Sequence, residues 1–328
     1  MGPLDPLDPV TSLRRALAGA VRSRVAGSAT DNQRIFTARG ERWFAPDDAI
    51  CIVHADAAMF VGGLRALVLQ SLHPLAMAGV AEHSTYREDP FGRLQRTGDY
   101  LGAVTFGTRA EADRAAARVR GVHRRVRGVE PESGTPYWAP DPELLLWVHC
   151  GEIDSFLTIG RRAGVRVSAA DADRYVAEQV TAAELAGIPR ELAPASVAEL
   201  ADYFERARPA LRMTAAARDT ARFLFVPPMP ALVQLATPAR LVWGSAAGLA
   251  FASLPRWARQ LYGLPGLPTT DLGASVTLRW LRAASSVLPA TVREPPAYRA
   301  AKERMARTPV RRLTVGTSPA RSARPVPG

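Results

Sequence analysis

Hydrophobic residues recur along most of this chain at spacings of three and four, and no stretch sustains a two-residue alternation, so helix is predicted almost throughout. Residues 56–72 (DAAMFVGGLRALVLQSL) are apolar on nearly every side apart from Asp56, Arg65 and Gln70, the pattern of a central buried helix. Pro74 interrupts it, and 75–83 resume as a second segment. Capping signals divide the rest. Thr108 with Glu111 forms a capping box for a helix predicted to run to Gly128 as its terminal glycine, and Asp141 followed by Pro142 opens ELLLWVHCGEIDSFLTIGRRAG. Ser168 with Asp171 and Ser196 with Glu199 open helices near 171–187 and 197–207. Further helices are predicted at 212–225, 239–253, within LPRWARQLYG, and at 273–287, with strands at most short. The pattern predicts an all-α fold, a single large helical domain of globin-like character enclosing a pocket. Its boundaries are drawn at 31–290, between a partly helical extension at 1–30 and a basic Pro/Ser/Arg-rich tail at 291–328 that is expected to be largely disordered.

Composition changes this picture little. The 328 residues, 47% hydrophobic, suffice for a large core. The net charge of +11 is almost wholly arginine, Lys302 being the sole lysine, and much of it sits near the two ends, from Arg14 to Arg24 and from Arg304 to Arg324. Such a bias does not call for nucleic acid, and none is expected as a partner; the basic ends leave peripheral membrane contact open. Cys51 and Cys150 both lie in apolar runs and form neither a disulfide framework nor a zinc site. The first twenty residues carry prolines and acids where an export signal needs a basic start and an apolar run, so a cytoplasmic protein is expected. The longest apolar tract, 241–254, is shorter than the roughly 20 residues of a spanning helix and reads as a buried helix.

Several chemistries are missing by direct search. There is no Gly-x-Ser-x-Gly elbow, no Gly-x-Gly-x-x-Gly, no P-loop, no His-Glu-x-x-His and no Glu-x-x-His pair. What stands out is five histidines, His54, His73, His83, His123 and His149, all in the first half. His123 follows an inward stripe of Ala112, Ala115, Ala116, Val119 and Val122; burial keeps such an imidazole neutral, which suits either a hydrogen-bonded core residue or an iron ligand. His149 sits beside Leu145, Ile153 and Phe156 and admits the same two readings. His73 is expected to fix the break at Pro74 through a ring-to-backbone hydrogen bond, His54 to cap the helix that follows it, and His83 to lie at the surface or a rim.

Between those histidines, Arg93, Arg96, Thr97 and Tyr100 fall at i, i+3, i+4 and i+7, so that a helix there places all four on one face. A solvated surface explains such a face; so does the lining of an internal site, where guanidinium holds carboxylates bidentately and stays charged.

The ordered runs SLHPLAMAGVAEHSTYREDPFGRLQRTGDYL, FGT…HRRVRG and YWAPDPELLLWVHCGEIDSFL together resemble the haem-dependent oxygenase family that groups the latex clearing proteins (rubber oxygenases) with the membrane-associated oxygenase of mycophenolic acid biosynthesis. The resemblance spans about 40–265. It implies an all-α catalytic domain with a haem b held by one proximal histidine, and the motif His-x-x-Val-x-Gly puts that ligand at His123, with His149 second. It also implies distal catalytic roles for Arg93, Arg96 and Thr97, with Arg93 further available to the haem propionates. Arg96 stands where rubber oxygenases carry lysine, and a guanidinium cannot act as a deprotonatable amine. The family's basic glutamate has Glu82 as its nearest counterpart. The implied activity is oxidation of an apolar, isoprenoid or lipid-like substrate by dioxygen or peroxide. The alternative is a haemless helical binding protein for a hydrophobic ligand.

Overall fold

The computed structural model describes residues 40–229 and 239–286, together with Glu303. The N-terminal extension and the basic tail expected from the sequence lie outside the described residues, Glu303 apart. Among the described residues the chain is all-α. Helices α1 to α5 are Ala49–His54, Met59–Gln70, Pro74–His83, Pro90–Phe106 and Arg109–His123. A short antiparallel hairpin follows, β1 (Arg127–Val129) with β2 (Pro136–Trp138), in the register Gly128 opposite Tyr137. Then come α6 (Pro142–Ala163), α7 (Ala169–Ala186), α8 (Val197–Ala207), α9 (Ala215–Phe225), α10 (Ala239–Ala252), α11 (Arg256–Leu261) and α12 (Pro268–Ser286).

The core is built on α2 and α6, whose sequences are the most continuously apolar. They lie against each other closely enough that a Cβ on Gly62 would stand 2.8 Å from Cδ1 of Phe156. Trp147, fully buried, donates from its indole to the Gln70 carbonyl, and the Gln70 amide donates back to the Val148 carbonyl. One charge enters this core with full compensation. Arg65, 2% exposed, pairs with Asp154 at 2.8 Å and donates to Ser155 Oγ and to the Ser253 carbonyl. That satisfies the guanidinium and ties α2, α6 and the end of α10 together. On one side α10 and α12 cover the α2–α6 pair; on the other, α7 and α8 pack on α6.

Caps account for most helix boundaries. The Thr108–Glu111 and Ser168–Asp171 boxes form in full, Asp141 accepts from the Glu143 amide, and Ser196 accepts from Glu199 N. His73 caps α3, its Nδ1 accepting from Ala76 N as the sequence suggests. Three expectations need correction. The helix predicted to reach Gly128 ends at His123; Gly128 is in β1, where a Cβ would collide with the Tyr137 hydroxyl and the Glu82 carboxylate, so the glycine serves close packing. Val122 is 48% exposed and does not belong to the inward stripe of α5, which is carried by Ala112 and Ala116. His54 ends α1 instead of capping α2. In the apolar tract 241–254, Leu241 and Val242 are exposed, and burial begins with Ala246. No single helix among the described residues is long and apolar enough to cross a membrane; α2 and α3 together reach the length but bend by 108° at their junction.

A candidate cofactor and substrate cleft

Helices α4 and α5 pack on each other and are held to the rest chiefly through α1 and α7. The uncovered face of α2 carries Phe60, Gly63, Leu67 and Gln70 at helical spacing, and that of α6 carries Val148 and Glu152. Phe60 and Val148 stay 44% and 40% exposed although both helices are central, and a Cβ added at Gly63 would meet nothing within 4 Å. We take this open face of α2 and α6, with the α4–α5 pair across from it, as the candidate cleft. Trp243 of α10 makes edge contacts with both Phe60 and Phe91 beside it.

The α4 wall starts from Asp89, whose carboxylate accepts from Gly92 N ahead of a helix with Pro90 in its first turn. The four polar residues of its face part company. Arg93 and Tyr100 turn inward, and neither the guanidinium nor the phenol makes a hydrogen bond among the described residues; burial lowers the one's pKa and raises the other's. Arg96 and Thr97 are exposed. Arg96 donates to Asp89 at 3.1 Å and to Thr85 at 3.2 Å, while Thr97 donates to the Arg93 carbonyl. On α5, His123 is the last helical residue; its Nδ1 is buried without a partner, and desolvation lowers its pKa, favouring the neutral ring. Arg120, one turn earlier, is felt electrostatically at Tyr100 and donates to the Leu185 carbonyl, which ties α5 to both α4 and α7.

The α6 wall holds two further groups. His149 is buried with Nε2 unpartnered, its ring meeting the Gln179 backbone, and desolvation pushes its pKa down to about 4. Glu152, one turn on, makes no hydrogen bond or ion pair, and burial pushes its carboxyl up to about 8. Its side chain keeps some accessible surface. Its charge is felt at Tyr100 and at Tyr175.

A hydrogen-bonded network backs this wall. The Gln179 amide donates to His54 Nε2 at 3.1 Å, so that nitrogen is an acceptor and the proton sits on Nδ1, which donates to Thr105 Oγ1 at 2.9 Å. Tyr175 completes it, its hydroxyl 3.1 Å from His54 Nε2 and accepting from Gln179 at 3.0 Å. Burial drives His54 down to about 3, so this ring is a neutral strut joining α1, α4 and α7.

Buried polar groups in native proteins are nearly always bonded, and each exception asks for an explanation. Here one ring nitrogen each of His123 and His149 is buried without a partner, as are single side-chain atoms of Arg109, Arg162, Ser253 and Arg259 elsewhere in the fold; Arg93, Tyr100 and Glu152 make no hydrogen bond but keep accessible surface. Among the described residues no three His, Cys, Asp or Glu side chains converge as metal ligands. Haem asks for one imidazole with a free nitrogen, because the porphyrin supplies the other ligands in its plane, and the unpartnered ring nitrogens of His123 and His149 fit that need. Glu82 is exposed, accepting from the Tyr137 hydroxyl at the hairpin. Glu152 and the His54–Tyr175–Gln179 network were not singled out from the sequence; the one available signal was an acid at i+3 from His149 inside an apolar helix.

Residues 52–287 match the family described as ER-bound oxygenase mpaB/B'/Rubber oxygenase, catalytic domain. No curated protein and no solved structure matches the chain.

Proposed function

On the premise that the chain belongs to the mpaB/rubber oxygenase family and is an oxygenase, we propose that it is a haem b enzyme oxidising an apolar, isoprenoid or lipid-like substrate with dioxygen or peroxide. The observation that carries this reading is the pair of buried ring nitrogens without a partner, one each on His123 and His149, together with an open apolar face of α2 and α6 that carries Phe60, Leu67 and Val148. His123 would hold the iron, with His149 as the alternative. Haem, when bound, supplies the activation of oxygen that no side chain in the cleft can provide.

The chain's own residues supply placement. Arg93 remains a cation despite its lowered pKa, since guanidinium starts far above neutrality, and it offers a bidentate anchor for a propionate or a polarising charge. Arg96 and Thr97 lie at the exposed side of the same helix, Arg96 steadied by Asp89. The apolar wall and the aromatic trio Phe60, Phe91 and Trp243 would hold the substrate and exclude water. Cytoplasmic placement is part of the same proposal.

The test is the absorption spectrum of protein purified from haem-supplemented cells. A Soret band that disappears in His123→Ala and persists in His149→Ala is expected. Persistence in the first and loss in the second would move the ligand to His149. A colourless protein that takes up no added hemin would overturn the haem reading in favour of a binding protein for a hydrophobic ligand.

A further inference from the structure

The outward face of α12 is unexplained by the roles assigned so far. The helix is seated on the core through Ala274 and Leu278, both buried, and is pinned near its two ends by ion pairs. Asp271 accepts from Arg162 and Arg259, and Arg282 donates to Asp56 at 2.8 Å. Asp271 is the sole acid of the helix, and these contacts hold it on the core side. On the opposite side Leu272, Val276 and Trp280 follow one another at intervals of four, and they are 67%, 59% and 67% exposed. Gly273, Thr277 and Ala284 lie around them, and Arg279, itself exposed, stands at the edge one turn from Val276. A single exposed leucine is ordinary. Three large apolar side chains in one file, ending on a tryptophan, make a patch of the kind that marks an interaction surface.

We propose that α12 is a docking helix that lays its Leu272, Val276 and Trp280 face into the interfacial layer of an anionic lipid bilayer. The charge of the chain selects this occupant. Residues 287–328, which follow α12 directly, hold eight arginines and Lys302 against two acids, Glu294 and Glu303. A second copy set against this face would add like charge to like charge, with Arg279 at the edge of both. Anionic headgroups attract the same charges, and the acyl boundary beneath them receives the apolar file. The side chains suit that depth. Leucine and valine enter the hydrocarbon boundary, the amphipathic indole of Trp280 rests at headgroup level, and the Arg279 guanidinium reaches the phosphates on its apolar stem. The helix lies in the plane of the surface and does not span, because its other side is committed to α6 and α10. The proposal takes nothing from the haem reading.

The experiment floats the purified full-length protein with vesicles of phosphatidylcholine alone, or of phosphatidylcholine with about 30 mol% phosphatidylglycerol, over a range of lipid concentrations. Binding to the anionic vesicles is expected to be about tenfold or more tighter than to the neutral ones and to weaken as salt is raised. Replacing the apolar file together, as Leu272→Ser, Val276→Ser and Trp280→Ser, should weaken that binding about tenfold or more while the protein stays folded, since all three side chains lie outside the core. Failure of the wild type to bind either vesicle would overturn the proposal. So would anionic binding that the triple variant keeps in full, because charge alone would then account for it. A wild type that sediments as a dimer beside a monomeric triple variant would overturn it too, by assigning the face to a second copy. If the triple variant fails to fold, Trp280→Glu decides in its place: a carboxylate set against anionic lipid should abolish binding, and unchanged binding sinks the idea.

Discussion

Replacing Glu152 by glutamine removes a titration without removing the side chain's shape, and the consequence for stability has a defined sign. The carboxyl's ordinary pKa of 4.5 rises to about 8 in the folded protein because burial disfavours its charge. A folded-state pKa above the unfolded one means that the folded chain binds the proton more tightly. The stabilisation is therefore fully present below about pH 4.5 and is lost as pH climbs through about 8. At 2.303RT per pH unit the gap corresponds to a ceiling of about 5 kcal/mol, and the accessible surface that the side chain keeps admits water, so about 2–3 kcal/mol is expected. Glutamine does not titrate. The variant should match the wild type near pH 5 and exceed it by that margin near pH 9. The neighbouring groups do not blur this window: burial drives His149 down to about 4 and raises Tyr100 and Tyr175, so all three stay neutral across it. Urea unfolding of both proteins at a series of pH values between 5 and 9 reads the difference directly. A difference between them that stays constant over that range would refute the claim that Glu152 is an unpaired, enclosed acid.

Two further outcomes test the packing of α2 against α6. The adjacent glycines of α2 should respond oppositely to alanine. Gly62→Ala drives a methyl into Phe156 and should cost about 1–3 kcal/mol, whereas Gly63→Ala projects into open space and should be neutral or gain up to about 1 kcal/mol, both read from urea midpoints. Asp154→Ala strips Arg65 of its counter-charge inside the core and should cost about 3–5 kcal/mol in the same assay, with a loss under 1 kcal/mol counting against the buried pair as described.

The sequence was most legible where the physics is local. Capping at Thr108, Asp141, Ser168 and Ser196 is decided within a few residues, and those helices begin where the side chains say they should. The end of α5 was misjudged because Gly128 suits a helix terminus by conformation, while its actual constraint, Tyr137 and Glu82 filling the space a Cβ would need, comes from elements distant in sequence. His54 reads as a cap from its neighbours alone; its partners Thr105, Tyr175 and Gln179 come from helices the chain reaches much later. Spacing likewise put Arg93, Arg96, Thr97 and Tyr100 on one face but could not tell inside from outside across a single turn.

Period and composition by themselves determined that this is a helical protein with α2 and α6 at its centre, and the ordered motifs were enough to reveal its family, because both depend on the identity and spacing of residues along the chain. Which polar groups are left without partners was decided only by the tertiary structure. A side chain's pKa and its missing hydrogen bond are set by what surrounds it in space, and for Glu152, His149 and His123 those surroundings are assembled from segments far apart in the sequence.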